Sequence, residues 1–158
     1  MRPSTSAVLI LALGLFFTTS GRAQHASPDS ELAPGNAQRI TPEELAGMLQ
    51  SPQRQKPVVL NVGPSILYMQ AHIPGAEYIG VASDKAGLER LRARVKPLPR
   101  NTFVVLYCGC CPWSHCPNVR PAYRELEAMG FSTVKVLYIA DSFGRDWVDK
   151  GYPTIKGQ

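Results

Sequence analysis

Phe103-Val-Val-Leu-Tyr-Cys-Gly-Cys-Cys-Pro-Trp-Ser-His-Cys-Pro-Asn-Val-Arg-Pro-Ala122 contains all four cysteines of the chain. Its first five residues are apolar, β-branched or aromatic and read as a buried strand, and the residues after Asn118 read as the start of a helix. The cysteines therefore occupy a strand-to-helix crossing. At such a crossing an α/β sheet exposes loop amides and the positive end of a helix dipole, both of which favour a thiolate or a bound anion.

On the C-terminal side, residues 121–129 have a helical pattern, Gly130 is its stop and Phe131 follows. Residues 134–139 form a further strand, 145–150 a last helical turn, and Tyr152-Pro153 an exit. On the N-terminal side, residues 86–95 place Leu88, Leu91 and Val95 at helical spacing, closed by Pro97 and Pro99. Residues 57–62 read as a short buried strand and 68–72 as a helical turn ended by Ile73-Pro74-Gly75. Residues 40–49 carry Thr41 as N-cap, Pro42 at the first helical position and Glu44 at the capping-box position. Strands alternating with helices predict an α/β fold whose mostly parallel sheet is covered on both faces.

Residues 1–23 stand apart. Arg2 precedes an unbroken apolar run from Ala7 to Phe17, and Gly21 and Ala23 suit the positions before a cut, so the segment reads as a signal peptide cleaved after Ala23. The run is too short to span a bilayer, which needs about 20 residues, so no stable membrane insertion is expected after cleavage. Export places the domain in the periplasm or outside the cell, where disulfides are permitted. Residues 24–38, rich in Ala, Ser, Pro, Gly, Asn and Gln, read as a flexible leader, and the domain runs from 39 to 158.

Hydrophobic residues make up 44% of the sequence and charged residues 18%, which suits one globular domain and excludes a disordered chain. Losing Arg2 and Arg22 lowers the basic count from 17 to 15 against 12 acidic residues, a mature charge of +3. The densest basic run, Arg90-Leu-Arg-Ala-Arg-Val-Lys96, lacks interleaved aromatics and reads as a solvated helix face. No nucleic-acid partner is expected.

The order of these pieces resembles the rhodanese-like domain family. Thr41-Pro-Glu-Glu-Leu45 looks like its opening helix, Val58-Val-Leu-Asn-Val62 like its first central strand, and Ala71-His-Ile-Pro-Gly-Ala76 like the signature after that strand. Val104-Val-Leu-Tyr-Cys108 resembles the strand ending at the active cysteine, and Trp147 with Gly151-Tyr-Pro153 the closing segment. The resemblance implies a three-layer α/β fold and a sulfurtransferase that carries sulfane sulfur as a persulfide on Cys108, taken from a small anionic donor such as thiosulfate or polysulfide. Two features depart from the family pattern. Asn61 and Gly63 stand where the family's strand ends in an Asp and an Arg, so a paired charge is gone. The loop from Cys108 to the basic Arg120 is enlarged and contains Pro112 and Pro117, which lack the N–H a sulfur cradle would use.

The resemblance makes Cys108 the nucleophile, its thiolate held by loop amides and by the helix beginning near Asn118. Cys110, Cys111 or Cys116 would accept the sulfur or close on the donor cysteine. Arg120 would hold an anionic donor or make a surface ion pair, His115 would lower a cysteine pKa or stand exposed, and Trp113 would cover the sulfur site or pack under the loop. His72 reads as a structural hydrogen-bonding residue. No cofactor or dedicated metal is expected, and a thiol or redox protein is the expected macromolecular partner.

Other readings stay open. Cys108-Gly-Cys-Cys111 contains a Cys-x-x-Cys spacing directly after a strand, as in thiol-disulfide redox proteins. Four thiols and His115 within nine positions would suit copper(I) or zinc, although Cys110 and Cys111 are adjacent and structural zinc sites draw a second ligand pair from elsewhere. Two disulfides, in any of three pairings, would instead lock the loop of a non-catalytic binding module.

Overall fold

The computed structural model describes residues 38–157, so the expected signal peptide and all but the last residue of the leader lie outside the described residues. Among the described residues no helix is long and apolar enough to cross a membrane. Five parallel strands, β1 (Arg39–Ile40), β2 (Val58–Asn61), β3 (Glu77–Tyr78), β4 (Val104–Tyr107) and β5 (Val134–Leu137), form one sheet in the order β1-β5-β4-β2-β3. β4 is central, aligned with β2 from Val58↔Val104 to Asn61↔Tyr107 and with β5 from Val104↔Val134.

The two-residue alternation of β4 divides its side chains between two cores. Val104, Leu106 and Cys108 face the layer formed by α3 (Lys85–Val95) and α4 (Val119–Ala128), packing with Leu91, Val95, Ala122 and Leu126. Val105 and Tyr107 face the layer of α1 (Pro42–Gln50) and α2 (Ser65–Gln70), with Leu45, Tyr68 and Trp147. The expected three-layer α/β fold is therefore present. Every residue of β4 is buried, which accounts for its uninterrupted apolar sequence.

The caps follow the sequence. In α1 the Thr41 side chain accepts from the Glu44 amide at 3.1 Å, and the Glu44 carboxylate accepts from the Thr41 amide at 2.8 Å. This capping box closes two donors that the first turn leaves free. At the end of α4 the Gly130 amide donates to Glu127 O and the Phe131 amide to Leu126 O, a Schellman stop.

Several expectations need correction. The helical turn expected at 68–72 is α2, which starts earlier, after Pro64, and ends at Gln70. His72 is instead extended and forms an antiparallel bridge with Ile155, tying the C-terminal segment to the domain. Its Nδ1 lies 2.8 Å from Tyr68 O, and its ring stacks on Tyr68 at 3.8 Å. The last helical turn is a π-type turn at Gly144–Val148, which places the fully buried Trp147 so that its indole N–H donates to Pro153 O at 2.9 Å. β1 and β3 have only two residues each, too few for a period-2 pattern to register.

The basic run on α3 is structural rather than merely solvated. Arg92 makes two bonds to Glu125, Arg94 donates to both carboxylate oxygens of Glu77 through its Nε and one terminal nitrogen, and Arg90 donates to Ile79 O. These contacts tie α3 to α4 and to the β3 edge. The bonds from Arg94 hold the Glu77 carboxyl below its ordinary range, and those from Arg92 do the same at Glu125.

Candidate active site

Cys108 follows the last residue of the central strand, at the C-terminal edge of the sheet where an open α/β fold presents its loops. The chain must reverse at once. Gly109 does this with φ +86°, a conformation that L side chains rarely adopt, and its α-carbon passes close to Phe143. The turn folds the cysteines back on one another. Cys108 Sγ lies 3.1 Å from Cys110 Sγ, which lies 3.0 Å from Cys111 Sγ. The sulfurs of Cys108, Cys110 and Cys116 all lie within 4.8 Å of one another. All four are free thiols, so the disulfide-locked loop among the open readings is not the form seen.

The rest of the loop is pinned. A 3-10 turn at Trp113–His115 brings Cys116 back to the core, and the Trp113 amide donates to Ile139 O at 2.8 Å just past β5. Asn118 is buried before α4 and does two things: its Nδ2 donates to Cys108 Sγ at 3.4 Å, and its Oδ1 accepts from the Ser83 amide at 3.0 Å. The amides of Asn118 and Val119 donate to Cys116 rather than to Cys108. The start of α4 thus reaches Cys108 through an intermediate thiol and a side-chain amide, which the sequence reading did not anticipate.

These contacts concentrate the negative charge on Cys108. A hydrogen bond from the Cys116 thiol, followed by bonds from the Cys110 thiol, the Cys110 amide and Asn118 Nδ2, pulls its pKa down to about 6 against the opposing effect of burial. Cys110 is pushed up, first by burial and then by its bonds to Cys111 and Cys108. Cys116 is pushed up chiefly because its proton is engaged by Cys108. The cluster is built to hold one thiolate with two thiols donating to it.

Gly63 and Asn61 form the opposite wall. A β-carbon on Gly63 would lie 2.9 Å from Cys108 Sγ and 2.3 Å from its carbonyl oxygen, so only glycine fits. Asn61 Oδ1 accepts from the Gly63 amide at 3.1 Å, and its Nδ2 donates to Cys108 O at 3.4 Å. The departures from the family pattern thus have a local meaning: a neutral amide bridges the two strand ends, and a missing side chain admits the sulfur.

Two openings flank the cluster, and no residue lines both. Cys108 lines a pocket of about 110 Å³ between α2 and the π-turn, walled by Leu67, Ala71, Tyr107, Phe143 and Val148 and by no charged side chain. Arg120, His115, Cys116 and Arg124 line a separate, wider cavity on the α4 side. There the Arg120 guanidinium donates to Ser114 O at 3.3 Å while its buried Nε has no partner. His115 Nδ1 meets Ser114 Oγ at 2.9 Å. Trp113 lies under the Arg39 guanidinium at 3.9 Å and beside Tyr138. The structure therefore brings the four cysteines together but sets Arg120, His115 and Trp113 apart from the mouth at Cys108. Asn118, Gly63 and Gly109 escaped sequence reasoning as site residues, although a glycine directly after the nucleophile was a legible turn signal.

A parallel sheet whose central strand leads into a cysteine, with that sulfur held by the following loop, defines a class of α/β proteins with a cysteine at the strand edge. The rhodanese-like domain profile matches residues 41–140, and the chain belongs to that family. Among solved structures, the BH2092 protein from Bacillus halodurans is similar at 19% identity and TM-score 0.57, over 75% of this chain and 76% of that one. The Alr3790 protein from Anabaena sp. aligns at 18% identity and TM-score 0.57, over 75% and 92%. A thiosulfate sulfurtransferase from Pseudomonas aeruginosa aligns at 20% identity and TM-score 0.58, covering 82% of this chain but only 21% of that one. No curated protein matches the sequence.

Proposed function

We propose that this chain is an exported sulfurtransferase-type protein that carries sulfane sulfur as a persulfide on Cys108. One observation carries the reading: the cysteine that follows the central strand has its sulfur in hydrogen-bond contact with Cys110 and Asn118, contacts that lower its pKa, and it lines a small pocket. Family membership and the similarity to a thiosulfate sulfurtransferase support it.

Cys108 Sγ attacks the outer sulfur of the donor. With thiosulfate, the donor's S–S bond breaks, a new S–S bond forms on Cys108, and sulfite leaves with the electron pair. With a polysulfide, the terminal S–S bond breaks in the same way and a shorter polysulfide leaves with the electron pair. Cys110, at 3.1 Å, is the nearest thiol to resolve the persulfide. Its attack on Cys108 forms a Cys108–Cys110 disulfide and expels the outer sulfur as hydrogen sulfide, and a partner dithiol then reduces that disulfide. The geometry favours Cys110 over Cys111 in this role, because Cys111 meets Cys108 only through Cys110. The apolar run before Ala23 supports a periplasmic or secreted location.

The test is intact mass of the reduced protein before and after polysulfide or thiosulfate, with cyanide added last and Cys108→Ser alongside. Gain of one cyanide-removable sulfur in the wild type and none in the variant is expected. No gain by a protein whose thiols are verified as reduced would overturn the assignment.

A further inference from the structure

We propose that Cys108, Cys110 and Cys116 form a three-sulfur site for a soft monovalent cation, copper(I). The observation is convergence in space. Residues two and eight positions apart bring their sulfurs within 4.8 Å of one another, although neither spacing is the two-to-four-residue pairing of a structural zinc site. A cation at the centre of such a triangle touches all three sulfurs after small rotations of the cysteine side chains, with no movement of the strand or of α4.

The donor set selects the ion. Soft thiolates favour copper(I), and a three-coordinate site with no fourth ligand of its own suits that ion better than zinc, which takes four. Among the described residues no fourth His, Cys, Asp or Glu ligand atom lies within 4.8 Å of all three sulfurs, and Cys111 touches the group only at Cys110, at 3.0 Å. His115 is turned outward to Ser114, and Cys111 lies outside the triangle. Cys108 and Cys116 are buried on the α3/α4 side among Val119, Leu106 and Val62, and Cys110 is half-buried, so most of the site is turned away from water. The excess negative charge of a copper(I) thiolate group also has donors waiting. Asn118 Nδ2 and the Cys110 amide point at Cys108, and the Asn118 and Val119 amides point at Cys116. Binding involves no electron transfer: copper enters as copper(I), and each thiol that ligates it gives its proton to solvent.

This site stands apart from the persulfide reading, although both use Cys108, and metal and sulfane sulfur exclude one another there. The experiment is anaerobic titration of the reduced chain with copper(I) in competition with a chromophoric chelator, read by chelator absorbance and by X-ray absorption at the copper edge. One copper per chain in an all-sulfur, three-coordinate environment is expected. Cys108→Ser, Cys110→Ser and Cys116→Ser should each weaken binding at least 100-fold, whereas Cys111→Ser should leave it within about 3-fold. Because Cys116 is buried, wild-type protein alkylated at Cys108 is a second test in a chain already folded, and it should lose the copper equally. Failure to compete with the chelator, nitrogen or oxygen in the coordination sphere, or a Cys111→Ser loss as large as that of Cys116→Ser would overturn the proposal. Sulfur uptake, read by mass on the copper-free protein, is unaffected by any of these outcomes.

Discussion

The α-carbon of Gly63 packs directly against Cys108, leaving no room for a β-carbon between the end of the first long strand and the sulfur. The obstructing atoms include the Cys108 carbonyl, whose position is set by the sheet, so the clash cannot be relieved by turning a side chain. Gly63→Ala should therefore destabilise the fold by about 1–3 kcal/mol, as overpacking does, and displace the nucleophile. Urea unfolding measures the first effect, and the alkylation rate of Cys108 at neutral pH measures the second. Wild-type values for both would show that the contact is slack.

Cys108 should titrate far below an ordinary thiol. Its alkylation by iodoacetamide, followed by peptide mass, should reach a plateau above neutrality with a midpoint near pH 6, and fall about tenfold for each further unit on the acid side. A midpoint in the range of a free thiol would remove the basis for its nucleophilic role.

The same shift couples to stability. A folded pKa below the unfolded value contributes stability at high pH that is lost as pH falls from the unfolded thiol's value, roughly 8.5, through about 6. Cys110 and Cys116 are shifted upward and act oppositely, so their contribution is lost as pH climbs above the unfolded value. Thermal unfolding of the fully reduced protein should show a transition temperature that rises from pH 6 and turns down above roughly pH 8.5. A monotonic profile would show that the cluster does not share one charge.

Asn118 holds Cys108 and a neighbouring loop together. Asn118→Ala removes the donor to Cys108 and the acceptor for the Ser83 amide, at an expected cost of about 1–3 kcal/mol, and should raise the alkylation midpoint. Asn118→Asp should raise it further, because a carboxylate facing the sulfur opposes the thiolate. Equal midpoints in wild type and both variants would assign Asn118 to the fold alone.

Thr41→Ala tests the fold without touching the chemistry. Loss of the capping box should cost about 1 kcal/mol, visible in urea unfolding, with Cys108 reactivity unchanged because α1 lies on the opposite face of the sheet from the cysteine cluster.

Much of this protein was legible in the order of its residues. The apolar run 104–107, the Thr41/Glu44 cap and the Gly130 stop each act through neighbours in sequence, and each is found where local chemistry places it. The position of Cys108 at the sheet's edge was legible too, because a cysteine directly after a buried strand has one place to go. The short strands β1 and β3 and the extended His72 were not, since they exist only through partners at Leu137, Asn61 and Ile155. The site divides the same way. Sequence alone determined that four thiols lie in one loop at the sheet's edge. Which of them meet was decided by the tertiary structure, as was the placement of Arg120 and His115 on a different cavity. Those outcomes depend on a left-handed turn at Gly109, on the Trp113–Ile139 bond that pins the loop, and on the gap at Gly63. The turn at Gly109 is local, but the other two contacts join residues far apart in the chain, and no local spacing encodes them.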